Sequence, residues 1–140
     1  MWGSMAKIII TGGTGFIGKN LNKELIKRGH KVEIISRRNI DYKFDLLKKK
    51  FMGFDTLIHL ASKRLNRNSD MNLFSPFAND AIEILDEILK AATYNKFRKV
   101  INASSIGVYS QQNTTPYTEL DEPKPNNPYG LTKLISEKII

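Results

Sequence analysis

The segment that decides the fold is Ile8-Ile9-Ile10-Thr11-Gly12-Gly13-Thr14-Gly15-Phe16-Ile17-Gly18. Its apolar, β-branched first half favours a buried strand. Its second half has G-x-G-x-x-G spacing from Gly13, with glycines at every third position from Gly12. A helical pattern of apolar residues follows at once, from Phe16 to Arg28. A glycine loop between a strand and a helix is typical of a diphosphate site, because backbone N–H groups and the helix N-terminus can face the anion directly.

Strand and helix patterns alternate along the rest of the chain. The predicted strands are Lys7–Ile10, Val32–Ile35, a brief one within Ile40–Leu46, Thr56–Leu60 and Lys99–Ala103. The predicted helices are 16–28, a short lysine-rich one after Leu46, Pro76–Tyr94 and one starting at Tyr129. This alternation predicts an α/β fold, a Rossmann-like doubly wound parallel sheet. The expected strand order is 3-2-1-4-5, with a ligand crevice between the first and fourth strands.

Composition excludes several classes of site. The chain has 140 residues, enough for one domain, with no cysteine and only two histidines, so neither a thiolate nucleophile nor a metal site is expected. No apolar run is long enough to span a bilayer and no export signal is visible, so a cytoplasmic protein is expected. Residues 1–4 resemble an expression scar, which leaves 5–140 as the domain.

A net charge of +8 points to an anionic partner. The basic residues are scattered and no nucleic-acid motif frames them, so a phosphate-bearing cofactor is the better interpretation than nucleic acid. At the end of the second strand, Ser36 stands where an acidic residue would bind the ribose of NAD, and Arg37 and Arg38 follow. Arginine can pair with a 2′-phosphate, so NADP is favoured and NAD stays possible.

Five segments in this order resemble the extended short-chain dehydrogenase/reductase family, of the NAD-dependent epimerase/dehydratase type. They are Thr11–Gly18, Asp45-Leu46, His59-Leu60-Ala61-Ser62, Ser104-Ser105-Ile106-Gly107-Val108-Tyr109 and Pro128-Tyr129-Gly130-Leu131-Thr132-Lys133. The resemblance covers nearly all of residues 6–140. Ser62 departs from the usual alanine, and Ser110 from the usual glycine.

The resemblance implies a set of site residues. The cofactor-binding set is Gly12, Gly15, Phe16, Ile17, Gly18, Arg37, Arg38, Asp45, Leu46, Leu60, Ala61, Ser62, Tyr129 and Lys133. The implied catalytic set is Ser105, Tyr129 and Lys133. Tyr129 and Lys133 are four apart, so they share a helix face, and a nearby ammonium favours a phenolate that could act as a base.

The resemblance also implies a function. It suggests a sugar-nucleotide epimerase, dehydratase or related reductase that uses hydride transfer on a nucleotide-sugar, and leaves open which of the three. Family members run about twice this length, so the fold is expected to be truncated before the later strands and the substrate subdomain, and the isolated chain to turn over poorly. The uncovered last strand makes a homodimer possible. The alternative is a non-catalytic NADP-binding module that senses redox state.

Overall fold

The structure is a computed structural model that describes residues 5–62, 74–109 and 116–140; the predicted scar at 1–4 and Ser110 lie outside them. The strands are β1 (Lys7–Thr11), β2 (Lys31–Ile35), β3 (Thr56–His59) and β4 (Lys99–Asn102). The helices are α1 (Phe16–Lys27), α2 (Phe44–Lys50), α3 (Phe74–Tyr94) and α4 (Pro128–Ile139), with a short 3₁₀ turn at Ile106–Val108. The predicted elements are thus present to within a few residues, with one exception described below.

The four strands form one parallel sheet in the order β2-β1-β3-β4. β1 lies between β2 and β3, with Ile9 opposite Glu33 on one side and Leu57 on the other. Ile8, Ile9 and Ile10 are all buried, as expected for a strand that is covered on both faces. The predicted Rossmann-like parallel α/β sheet is confirmed, but the order differs from the predicted 3-2-1-4-5, because the third predicted strand is not present among the described residues.

The prediction of a strand within residues 40–46 was wrong. No such strand is present there, since residues 36–39 form a turn and α2 already begins at Phe44. The side-chain amide of Asn39 donates to the carbonyl of Ile34, at 2.9 Å. Because the carbonyl of Ile35 faces β1, that of Ile34 points to the outer edge of β2, where a third strand would pair. Asn39 therefore takes the place of that strand's hydrogen bond, and the sheet ends at β2.

The described residues fall into two compact units. The first comprises 5–62 and 84–103, and the second 74–83, 104–109 and 116–140. In the first unit, one face of the sheet packs against α1, through Leu21 and Leu25. The other face packs against α2 and the end of α3, through Leu47 and Ile88. Helices thus cover both faces of the sheet, as predicted.

The second unit contains the 3₁₀ turn and α4. α4 begins after Asn127, whose side chain accepts a hydrogen bond from the N–H of Gly130 at 2.8 Å. Pro128 occupies the first helical turn, where its missing N–H costs nothing. Among the described residues, no helix has the length and apolar character needed to cross a membrane.

Candidate functional site

The glycine loop leaves β1 through a close backbone contact. Gly12 has a φ of 72°, which favours glycine, and its N–H donates to the carbonyl of Ile35 at 2.9 Å. A Cβ built on Gly12 would lie 2.7 Å from the nitrogen of Ala61. The loop therefore rests directly on the segment that follows β3, and no side chain fits between them.

The start of α1 offers its backbone N–H groups outward. Gly15 is the N-cap and has no side chain to accept a hydrogen bond, and no described acceptor faces the N–H groups of Phe16 and Ile17. Phe16 is 83% exposed and Ile17 is 63% exposed. Gly18 brings the helix close, because a Cβ on it would lie 2.5 Å from the Cα of Gly13. Free N–H groups and the positive end of a helix dipole together suit an anion.

The carboxyl ends of β1 and β3 are joined by a buried hydrogen bond. It links Oγ1 of Thr11 to Nδ1 of His59 at 2.8 Å, and both residues are buried. The N–H of Leu60 then donates to the carbonyl of Thr11 at 3.0 Å. These bonds hold Leu60 and Ala61 against Gly12, so the structure brings these three predicted cofactor residues together. His59 lies in the strand end, as the sequence indicates, and Ser62 is exposed.

Arg37 and Arg38 lie on a well-bonded turn at the end of β2. The N–H of Ser36 donates to Oδ1 of Asn39 at 2.7 Å, and the N–H of Asn39 donates back to the carbonyl of Ser36 at 3.0 Å. Both arginine side chains are exposed. Since the carbonyl of Ile35, one residue earlier, receives the N–H of Gly12, the arginine turn and the glycine loop are adjacent.

Tyr42 lies beside the glycine loop, a position that the sequence analysis did not predict. Its ring is buried in the core, and its hydroxyl donates to the carbonyl of Ile35 at 3.4 Å. Burial raises the pKa of Tyr42, while a hydrogen bond from the N–H of Gly12 and the charge of Arg37 act against that rise. The phenol therefore touches the glycine loop and lies near the arginine turn. The signal available was a lone aromatic residue between the polar turn and α2.

Asp45 and Leu46 lie in the first turn of α2. The carboxylate of Asp45 is exposed and pairs with Nζ of Lys48 at 2.7 Å, and this hydrogen bond lowers the pKa of Asp45. Leu46 is 47% exposed. An adenine contact by these two residues stays a prediction.

In the second unit, Tyr129 and Lys133 lie one turn apart on α4. Nζ of Lys133 is 5.8 Å from the centre of the Tyr129 ring. Lys133 is only 6% exposed, and this burial lowers the pKa of its ammonium group. Tyr129 and Lys133 therefore share a helix face, as predicted, and the side chain of Lys133 is buried.

Ser105 caps the 3₁₀ turn. Its Oγ accepts a hydrogen bond from the N–H of Gly107 at 3.1 Å. A Cβ built on Gly107 would lie 3.4 Å from Oγ of Ser105 and 3.8 Å from Cδ1 of Tyr129. Ser105 and Tyr129 therefore approach the same point in this unit. The neighbouring Ser104 turns away and donates to the carboxylate of Glu137.

The described residues do not provide a set of side chains that could bind a metal ion. Within residues 5–62, 74–109 and 116–140, no three histidine, aspartate or glutamate residues cluster so that they could hold an ion.

Residues 8–140 match the model of a protein family described as the NAD dependent epimerase/dehydratase family. A UDP-glucose 4-epimerase of Neisseria meningitidis serogroup C is 28% identical, over 97% of this chain and 48% of that protein. The crystal structure of UDP-N-acetylglucosamine 4-epimerase from Bacillus cereus is 28% identical, with a TM-score of 0.82 over 96% of this chain and 53% of that one. The structure of MoeE5 in complex with UDP-glucose and NAD is also 28% identical, with a TM-score of 0.84 over 96% of this chain and 48% of that one.

The relatives named above are about twice as long as this chain. The chain spans about half the length of the curated relatives it matches.

Proposed function

Because the chain belongs to the NAD-dependent epimerase/dehydratase family, we propose that it forms the cofactor-binding part of an enzyme that acts on nucleotide-sugars. The observation that carries the proposal is the glycine loop, where the chain leaves no room for a side chain and free helix N–H groups face outward. The proposed reaction is epimerisation, dehydration or reduction through hydride transfer. Ser105, Tyr129 and Lys133 would provide the acid/base catalysis.

The residues of the first unit fit a dinucleotide. A Cβ at Gly12 or Gly18 would meet backbone atoms, so the close approach of loop, helix and strand end depends on bare glycines. The N–H groups of Phe16, Ile17 and Gly18 would donate to the diphosphate, and Gly15 leaves their approach open. Leu60, Ala61 and Ser62 would line the site beside the loop, and the exposed Leu46 with Asp45 would contact the adenine.

NADP is the proposed cofactor, with NAD as the second choice. Relatives of known structure hold NAD, as MoeE5 does. In this chain, Ser36 supplies no carboxylate for a ribose, and Arg37 and Arg38 follow on an adjacent turn. A guanidinium can form two parallel charge-assisted bonds with a 2′-phosphate, which supports NADP.

The proposed chemistry gives a role to three residues of the second unit, Ser105, Tyr129 and Lys133. Tyr129 would take a proton from, or return it to, the reacting hydroxyl or carbonyl of the sugar. Ser105 would hydrogen-bond the same oxygen, and Lys133 would hold a hydroxyl of the cofactor ribose. A bound nicotinamide supplies the hydride acceptor or donor.

The substrate proposal comes from the relatives. Their names specify UDP-glucose or UDP-N-acetylglucosamine as substrates of those proteins. A nucleoside-diphosphate sugar is therefore the substrate class that we propose for this one.

Replacing Tyr129 by phenylalanine tests the proposed function. In the full-length protein, we expect Tyr129→Phe to lower turnover of UDP-glucose or UDP-N-acetylglucosamine by about 10²–10⁴-fold, since it removes the proton-transfer group and keeps the ring. Cofactor affinity, measured by calorimetric titration, should fall far less than turnover. Tyr94→Phe is the matched control, because Tyr94 is exposed on α3 in the first unit and its ring would be kept.

Two outcomes would contradict the proposal. Equal turnover in wild type and Tyr129→Phe would remove Tyr129 from the chemistry. Cofactor binding by the full-length protein without turnover of any nucleotide-sugar would favour the alternative, a non-catalytic NADP-binding module.

A further inference from the structure

The turn that carries Ser105 is joined to α4 by a backbone contact. A Cβ built on Gly130 would overlap the carbonyl oxygen of Gly107 and would lie 3.1 Å from Cβ of Pro125. Any residue larger than glycine at position 130 would therefore push the turn away from the first turn of the helix. This contact fixes the distal side of the turn, after Ser105.

A second connection holds the proximal side of the turn, before Ser105. The hydroxyl of Ser104 donates to the carboxylate of Glu137, 33 residues later in the chain. Glu137 is four residues after Lys133 and eight after Tyr129, so all three lie on one face of α4 over about 12 Å. Segment 104–107 is thus attached to the helix at both of its ends.

Ser105 lies between these two attachments. Its Oγ already accepts the N–H of Gly107, so its own proton remains to be donated outward. The direction of that O–H depends on the backbone angles of residues 104–107, because the cap fixes Oγ relative to the turn. A shift of the turn along α4 would therefore move the serine hydroxyl relative to the ring of Tyr129.

We propose that Glu137 is a positioning residue, which holds the Ser105 hydroxyl against Tyr129 through its hydrogen bond from Ser104. This inference rests on the proposed function, in which Ser105 and Tyr129 share one substrate oxygen. Glu137 itself touches neither substrate nor cofactor. Its bond is exposed and contributes little net stability, so its effect appears in local geometry.

Hydrogen exchange of the Gly107 amide measures the attachment directly. In the ¹⁵N-labelled chain, we expect Glu137→Ala to speed exchange of the Gly107 N–H by about 3- to 10-fold, the loss of one net hydrogen bond. Glu137→Gln keeps an acceptor oxygen for Ser104 and should restore the slow rate. Lys138→Ala, at the exposed neighbouring position, is the matched control and should leave the rate unchanged.

Turnover by the full-length protein supplies the second measurement. We expect Glu137→Ala and Ser104→Ala each to lower kcat several-fold with KM for the cofactor unchanged, and the double variant to lose no more than either single one. Glu137→Gln should recover most of the rate.

The exchange and turnover results distinguish failure of the positioning role of Glu137 from failure of the proposed function. Unchanged Gly107 exchange in Glu137→Ala, or equal defects in Glu137→Gln and Glu137→Ala, would overturn the positioning role. Faster exchange with unaltered kcat would also overturn it, because the attachment would not serve the reaction. Absence of turnover in the full-length protein would instead contradict the proposed function, while the exchange result would still report on the attachment.

Discussion

Lys133 carries a buried positive charge on the face of α4 that also presents Tyr129. The side chain is 6% exposed, and burial lowers the pKa of its ammonium group. Desolvating an ammonium costs free energy that an exposed lysine does not pay. A chain that keeps such a residue beside a tyrosine is consistent with a functional role for the pair.

The pH dependence of stability should carry the signature of Lys133. Its pKa in the folded chain is lowered from the ordinary 10.5, so between the two values the unfolded chain binds more protons. Wild-type stability should therefore rise from pH 7 to pH 10 relative to Lys133→Met, which keeps the length and removes the charge. Urea unfolding of both proteins at the two pH values measures this difference.

The exposed Lys138 serves as the control for that measurement. Lys138→Met removes a lysine charge from an exposed position on the same helix and so measures the effect of charge removal without burial. A stability difference between wild type and Lys133→Met that falls with pH, or does not change, would contradict the burial argument.

Individual residues differed in how well the sequence predicted them. Gly12 and Gly18 were predictable because their spacing, between a strand and a helix, matches a physical need for bare backbone. Tyr42 was not, since nothing in its neighbours indicates that its hydroxyl reaches the carbonyl of Ile35. The bond between Ser104 and Glu137 joins residues far apart in the chain, and only the fold brings them together.

The glycine loop and α1 act as one element. The helix packs closely on the glycine loop because Gly18 has no side chain, and a Cβ there would lie 2.5 Å from the Cα of Gly13 and 2.7 Å from the carbonyl oxygen of Gly12. These neighbours are backbone atoms, so they cannot rotate away. The position of the helix N-terminus therefore depends on this glycine.

Substituting Gly18 tests that dependence. We expect Gly18→Ala to lower stability by about 1–3 kcal/mol through overpacking, and to weaken cofactor binding because the helix N–H groups move. Denaturant unfolding and calorimetric titration measure the two effects.

Gly29→Ala is the matched control for Gly18→Ala. Gly29 has a φ of 83° at the end of α1 and no atoms near its missing side chain. Alanine there should cost roughly 1–2 kcal/mol from backbone strain alone. Cofactor affinity should be retained; equal losses of affinity in both variants would mean that Gly18 acts through general stability only.

The edge of the sheet shows why one predicted element failed. Alternating apolar and polar residues from Ile40 to Phe44 are typical of a strand. Such a pattern depends only on residues that are near in sequence, so it does not show which groups compete for the edge of β2. The outcome was decided by Asn39, which bonds both Ser36 and Ile34 and so closes the edge of β2. The remaining strands were predicted correctly because each contains a short β-branched run, and those of the central strands β1 and β3 are buried.

At the scale of the whole molecule, the motifs divide between the two units. The first unit carries the glycine loop and the arginine turn, and the second carries Ser105, Tyr129 and Lys133. Among the described residues, β4 pairs only with β3, and Ile101 on it is 47% exposed. Pairing of this edge with a second chain stays a prediction.

We propose that the N–H groups at the start of α1 receive the diphosphate of a dinucleotide. Titration of NADP and of NAD into the ¹⁵N-labelled chain, followed by amide resonances, tests it most directly. The largest saturable shifts are predicted at Phe16, Ile17 and Gly18, with NADP saturating at lower concentration than NAD. Binding that leaves these three amides unshifted, or no binding of either cofactor, would contradict the account.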